Sequence, residues 1–185
     1  MGTMIASGSD VVSFLKSQHE DVKRLFAQVK AARGQARGAS FYALRRMLAV
    51  HETAEEEIVH PVARRVLPDG EAIIEARLRE EKAAKTLLAE LEKLDIDSSE
   101  FEQMLALLER DVIAHAESEE RQEFERLGSA LDQSRLERMR TAAELAEKVA
   151  PTRPHPGVES AAANLLVGPF ASMVDRVRDA ITGKR

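Results

Sequence analysis

Two histidine–glutamate pairs, His51/Glu55 and His115/Glu119, have a spacing that could do chemistry. Residues four apart on a helix stand one turn apart on the same face, so each pair offers an imidazole and a carboxylate side by side. One such pair on a charged surface is commonplace. These two fall on apolar stripes: Leu44, Leu48, His51, Glu55, Ile58, Val62 in one, and Phe101, Leu105, Leu108, Val112, His115, Glu119 in the other. Two further stripes carry one polar residue each in an apolar register. They are Val12, Leu15, His19, Val22, Phe26, and Ile74, Arg77 or Leu78, Glu81, Ala84, Leu88, Leu91. A carboxylate buried without a partner costs several kcal/mol or more. Three imidazoles and three carboxylates around one small cavity would instead suit a pair of cations. Nitrogen and oxygen donors of this kind fit iron or manganese, and a carboxylate can bridge two ions.

A short internal repeat supports the same grouping. His19 to Phe26 aligns with Glu81 to Leu88, bringing the basic residues and the closing apolar pair into register. His51 to Glu56 aligns with His115 to Glu120. Two helical hairpins related by a pseudo-two-fold axis would each supply one polar residue from the first helix and an HxxxE pair from the second.

The elements that must position these groups are legible from their ends. Ser9 or Asp10 can cap a first helix reaching about Arg33, where Gly34 to Gly38 is expected to break it. A second helix is expected from Ser40 to Val66, closed by Leu67-Pro68-Asp69-Gly70. A third runs from about Glu71 to Leu94. Ser99 with Glu102 reads as a capping box opening a fourth helix to about Leu127. Gly128 is expected to stop it, and Ser129 to begin a fifth helix ending near Ala150. The resulting division is an N-terminal segment 1–9, a bundle 10–127, an added helix 128–150, and a tail 151–185. The tail opens on a proline linker, Pro151 to Gly157, and ends in an amphipathic stripe from Phe170 to Ile181. That stripe suits docking on the bundle or a homodimer contact better than a membrane.

Composition narrows the class. The chain has 185 residues, 32% charged and 4% aromatic, with a formal net charge of −5. This suits solvated helices around a narrow aliphatic core. No basic stripe with interleaved aromatics suggests a nucleic-acid partner. No apolar run approaches a membrane span. There is no cysteine, which excludes thiolate ligands and fits the cytoplasm, as does the absence of a secretion signal.

HxxxEE repeated on alternate helices, an early LxxxHxxxxxLF, and Pro61 soon after the first HxxxEE together resemble the hemerythrin-like HHE cation-binding family over residues 10–127. The resemblance implies an all-α, up-down-up-down four-helix bundle, here with a C-terminal helical extension. It implies two non-haem iron ions, oxo- or hydroxo-bridged, with manganese or zinc fitting the same donors. His19, His51, Glu55, His115 and Glu119 match the motif. The family's third helix normally supplies histidine, and here the repeat puts Glu81 in that place, so that the site is either carboxylate-rich or incomplete.

The same resemblance implies chemistry with a small diatomic or peroxide ligand. Hard anionic ligands favour the ferric state, so an extra carboxylate points toward O₂ or hydrogen peroxide reactivity of a catalase or peroxidase kind rather than O₂ transport. An oxygen, iron or redox sensor and a metal-free helical interaction protein are the rival readings. Other polar residues take lesser places: His60, about 180° around the helix from His51, is expected on the surface, and His155 in the linker. Glu52, Glu56 and Glu120 are expected in solvent or behind the ligands, Arg77 and Lys85 at the surface or paired with the carboxylates. Tyr42 lies two and a half turns before His51.

Overall fold

The computed structural model describes residues 9–150. The expectations for the proline linker, His155 and the Phe170 to Ile181 stripe lie outside them. Among the described residues every element is helical. Helix α1 spans Val11–Ala31 and α2 spans Gly34–Ala54. A π-helical turn, Glu55–Val59, then leads without a break into α3, His60–Val66. Helix α4 spans Gly70–Leu91 and α5 spans Ser99–Glu119. A second π turn, Glu120–Phe124, leads into α6, Glu125–Ala130, and α7 follows at Gln133–Val149. The α1 and α2 helices form one hairpin and α4 and α5 the other, giving an up-down-up-down four-helix bundle. Helix α7 packs along α1, α2 and the first π turn.

Side-chain caps fix several starts. Asp10 accepts from the Ser13 amide at 2.9 Å, Ser98 from Phe101 at 3.1 Å, and Asp132 from Arg135 at 2.9 Å. The capping residue of α5 is therefore Ser98, one before the expected Ser99. Helix α2 also begins earlier than expected, at Gly34 instead of Ser40. Gly34 takes φ 55°, a left-handed conformation that glycine adopts freely, and its N–H donates to the Asp97 carboxylate at 3.0 Å. Buried Arg37 then ties the new turn down, donating to the Ala32 and Ile96 carbonyls and to Glu102. These bonds outweigh the roughly 1 kcal/mol that a helical glycine costs. Gly128 likewise fails to stop its helix, which runs on to Ala130 before α7 starts at Gln133. Gly70 is required for space: a Cβ there would collide with the Ala63 carbonyl oxygen.

The core is two apolar blocks with a polar layer between them. One block gathers Leu15, Ile58, Val62, Ile74, Phe124, Leu127 and Met139. The other gathers Val22, Phe26, Leu44, Leu48, Leu88, Phe101 and Leu108. Between them along the stripes lie His19, His51, Glu55, Glu81 and Glu119, all buried.

Candidate metal centre

The polar layer brings together all six residues singled out by spacing. Donor atoms of His19, His51, Glu55 and Glu119 converge within 4.8 Å of one another, and so do those of Glu55, Glu81, His115 and Glu119. Glu55 and Glu119 belong to both groups, which is where bridging carboxylates would stand. Glu81 faces inward and is buried, so the third helix contributes a carboxylate where the resemblance leads one to expect histidine.

Hydrogen bonds aim the imidazoles. His19 Nδ1 lies 2.8 Å from Glu120 Oε1, His51 Nδ1 2.8 Å from Gln18 Oε1, and His115 Nδ1 2.8 Å from Glu80 Oε2. Each Nδ1–H donates outward to an oxygen, leaving the Nε2 lone pair directed inward. His19 Nε2 and His51 Nε2 then face each other at 3.1 Å. Two lone pairs at that separation repel unless a proton or a metal ion lies beside them. Gln18 is held in turn, donating from Nε2 to Glu147 Oε1 on α7 at 2.6 Å. Phe124 stacks on the His19 ring, centroids 5.6 Å apart.

The carboxylates show the same need. Both oxygens of Glu55, Glu81 and Glu119 are buried without a hydrogen-bond partner. His51 Nε2 to Glu55 Oε1 is 3.2 Å, and a neutral His51 ring with its hydrogen on Nδ1 has none to donate there. His115 Nε2 to Glu119 Oε1 is 3.3 Å; burial would lower His115, but Glu119 and then Glu80 raise it well above its ordinary range, so without metal this ring holds a second proton. Burial pushes the Glu55 carboxyl well above its ordinary range, and Glu119, Glu81 and Glu123 add to the push. Burial drives Glu81 up to about 8 despite the nearby His60. His51 is pressed down to about 3 by burial and by His19. Glu119 is the exception: burial would raise it, but His115 foremost, with His19 and His60, holds it well below the usual carboxylate range. Without cations this layer must retain protons to survive burial. Orphaned oxygens and inward lone pairs are what bound metal would satisfy, so the residues present fit a metal pair.

Behind the carboxylates, Lys85 lies 2.7 Å from Glu56 and 3.3 Å from Glu52, and 3.9 Å from Glu81. Arg77 is buried and contacts Glu80 at 3.1 Å. Tyr42 is exposed, away from the layer. His60 corrects the sequence reading. It is buried, with Nε2 3.8 Å from Glu119 and Glu123 and 3.9 Å from Glu81. The cause is the π turn: one residue more per turn between Glu55 and Val59 rotates everything after it by about 100° relative to an α-helix. Glu123, fully buried, was missed as well, although it follows Glu119 by four residues on the same stripe.

The hemerythrin HHE cation binding domain model matches residues 10–127, and the chain belongs to that family. A similar solved structure is the crystal structure of a hemerythrin HHE cation binding domain-containing protein from Mycobacterium kansasii. It shares 18% identity and a TM-score of 0.67, covering 91% of this chain and 98% of the other. That likeness speaks for the fold. No curated protein matches the chain significantly. The chain is thus a metal-binding, hemerythrin-like protein, and no helix among the described residues is long and apolar enough to cross a membrane.

Proposed function

We propose that the core holds two non-haem iron ions and that the protein reacts with hydrogen peroxide or O₂. The observation that carries this reading is the pair of four-donor groups sharing Glu55 and Glu119. A bound iron pair would supply two-electron redox chemistry toward a peroxide or dioxygen ligand. The chain would hold one ion between His19 and His51 and the other between Glu81 and His115, with Glu55 and Glu119 common to both. Glu81 adds negative charge where the family resemblance implies a neutral imidazole, which favours the ferric state and hence peroxide turnover over reversible O₂ carriage.

Access and proton supply support the same reading. A cavity of about 30 Å³, mostly apolar, is lined by Val22, Leu48, Ala84, Val112 and Ala116 beside His19, His51, Glu81 and His115. It has room for one small molecule. Glu52 also lines it, and burial raises its carboxyl to about 7 against the pull of Lys85, so this group can take up or release a proton near neutrality.

Elemental analysis and an absorption spectrum of the purified protein, followed by peroxide addition with an oxygen electrode, test the proposal. About two irons per chain, near-ultraviolet oxo-to-iron bands and oxygen release are expected. Metal removal should lower the melting temperature by about 10 °C, because a ligand bound only by the folded state stabilises it by mass action. Metal-free protein with an unchanged melting curve in chelator would overturn the metal pair. A bound iron pair inert to peroxide would overturn the reactivity alone and leave a sensor.

A further inference from the structure

Beside the two groups stands a third that the pair does not use. His60, Glu119 and Glu123 place donor atoms within 4.8 Å of one another, all three residues buried. Both ring nitrogens of His60 and both oxygens of Glu123 lack a hydrogen-bond partner. His60 Nε2 lies 3.8 Å from Glu119 Oε1, 3.8 Å from Glu123 Oε2 and 3.9 Å from Glu81 Oε1. Those separations are too long for hydrogen bonds. Ligands about 2.1 Å from one ion stand roughly 3 to 4.2 Å from each other, so the His60, Glu119 and Glu123 atoms flank a space of cation size, with Glu81 to one side of it.

We propose that His60 and Glu123, with Glu119 shared and Glu81 adjoining, form a third divalent-cation position next to the pair. This rests on the reading of the pair. The group that closes around His60 contains neither Glu55 nor His115, which distinguishes it from the second ion's group although Glu119 is common to both. Symmetry points the same way. In the internal repeat His51 corresponds to His115, so His60 corresponds to Phe124. Phe124 covers His19 with an apolar ring, whereas His60 offers the matching place beside Glu81 an unpartnered imidazole. The first π turn begins at the shared carboxylate Glu55 and delivers His60 into the core, and the second follows directly on Glu119 and carries Glu123. Local π geometry of this kind is common at functional sites. With three donors in its group against four in each member of the pair, the position should fill last.

Equilibrium dialysis of the metal-stripped full chain against excess Mn²⁺, with elemental analysis, reads the number of ions directly. Three per chain are expected in the wild type, and two in both His60→Ala and Glu123→Gln. Two per chain in the wild type would overturn the third position and leave the pair standing, with His60 a protonated counter-ion. Three in the wild type, unchanged in both folded variants, would also overturn it. None in the wild type would overturn the pair reading as well. Because either variant could fail to fold, anomalous scattering from crystals of the Mn²⁺-loaded wild type gives a second measure. A peak within about 2.2 Å of His60 Nε2 and a Glu123 oxygen is expected, and its absence ends the proposal.

Discussion

The two halves of the metal centre descend from the same repeated pattern yet are chemically unlike. Around His19 and His51 the layer is nitrogen-rich, its imidazoles held by Glu120 and by the Gln18–Glu147 chain and covered by Phe124. Around Glu81 and His115 it is oxygen-rich, with Glu123 and His60 close by and Lys85 behind. If two ions occupy the layer as proposed, a neutral-donor half and an anionic half would give them different affinities and different preferences for the ferric state. The shared carboxylates, Glu55 and Glu119, couple them.

Breaking that coupling should have the largest effect. Glu119 belongs to every donor group, so Glu119→Gln is expected to abolish metal binding in both halves. Retention of one full equivalent by elemental analysis would mean the halves are independent. Substitutions confined to one half come next. His51→Ala and His115→Ala should each cost about half of the bound metal, and the ion left behind should differ spectroscopically between the two variants. Identical residual spectra would deny that the halves differ.

The acidic half should also govern how the metal-free protein responds to pH. Glu81 and Glu123 have folded pKa values raised from 4.5 to about 8 and about 7, burial being the main cause in both. Their contribution to stability is fully present below the unfolded value and is lost as pH rises through the folded one. His60 acts in the same direction: burial would lower it, but Glu123 and its other acidic neighbours raise it from 6.5 to about 9. The melting temperature of metal-free protein should therefore fall by about 5 °C or more between about pH 5 and pH 9. His51 titrates the other way, its stability present above 6.5 and lost as pH falls toward 3, so it leaves the alkaline slope alone. Calorimetry should show a shallower slope in Glu81→Gln. A slope unchanged there would place the pH sensitivity elsewhere.

The smallest expected effect lies behind the nitrogen-rich half. Glu147 sits on α7, beyond the residues the family model matches, and reaches His51 only through Gln18. Gln18→Leu should weaken binding in that half by about tenfold without unfolding the bundle, because it frees the tautomer and orientation of His51. Equal weakening in both halves would show a general loosening instead.

His19, His51, Glu55, Glu81, His115 and Glu119 were legible from spacing alone, because an α-helix converts a four-residue interval into a shared face and an apolar stripe into a direction. The paired hairpins followed from the internal repeat, and the family from the resemblance of HxxxEE, LxxxHxxxxxLF and Pro61 to its motifs. Ser9 or Asp10 likewise announced the start of α1, and the structure chooses Asp10 as the cap. What the sequence could not announce was where that regularity lapses. Nothing in Glu55 to Val59 or Glu120 to Phe124 marks a π turn, since its extra residue is tolerated only by what packs around it, and so His60 was assigned to solvent. Gly34 opens a helix because Asp97, far along the chain, accepts its amide. The roles of Gln18, Glu80 and Glu120 depend on which nitrogen of a distant imidazole each one meets. Local periodicity chose the residues that face the core, and long-range packing decided the tautomers, the rotation of α3 and the third cluster of donors.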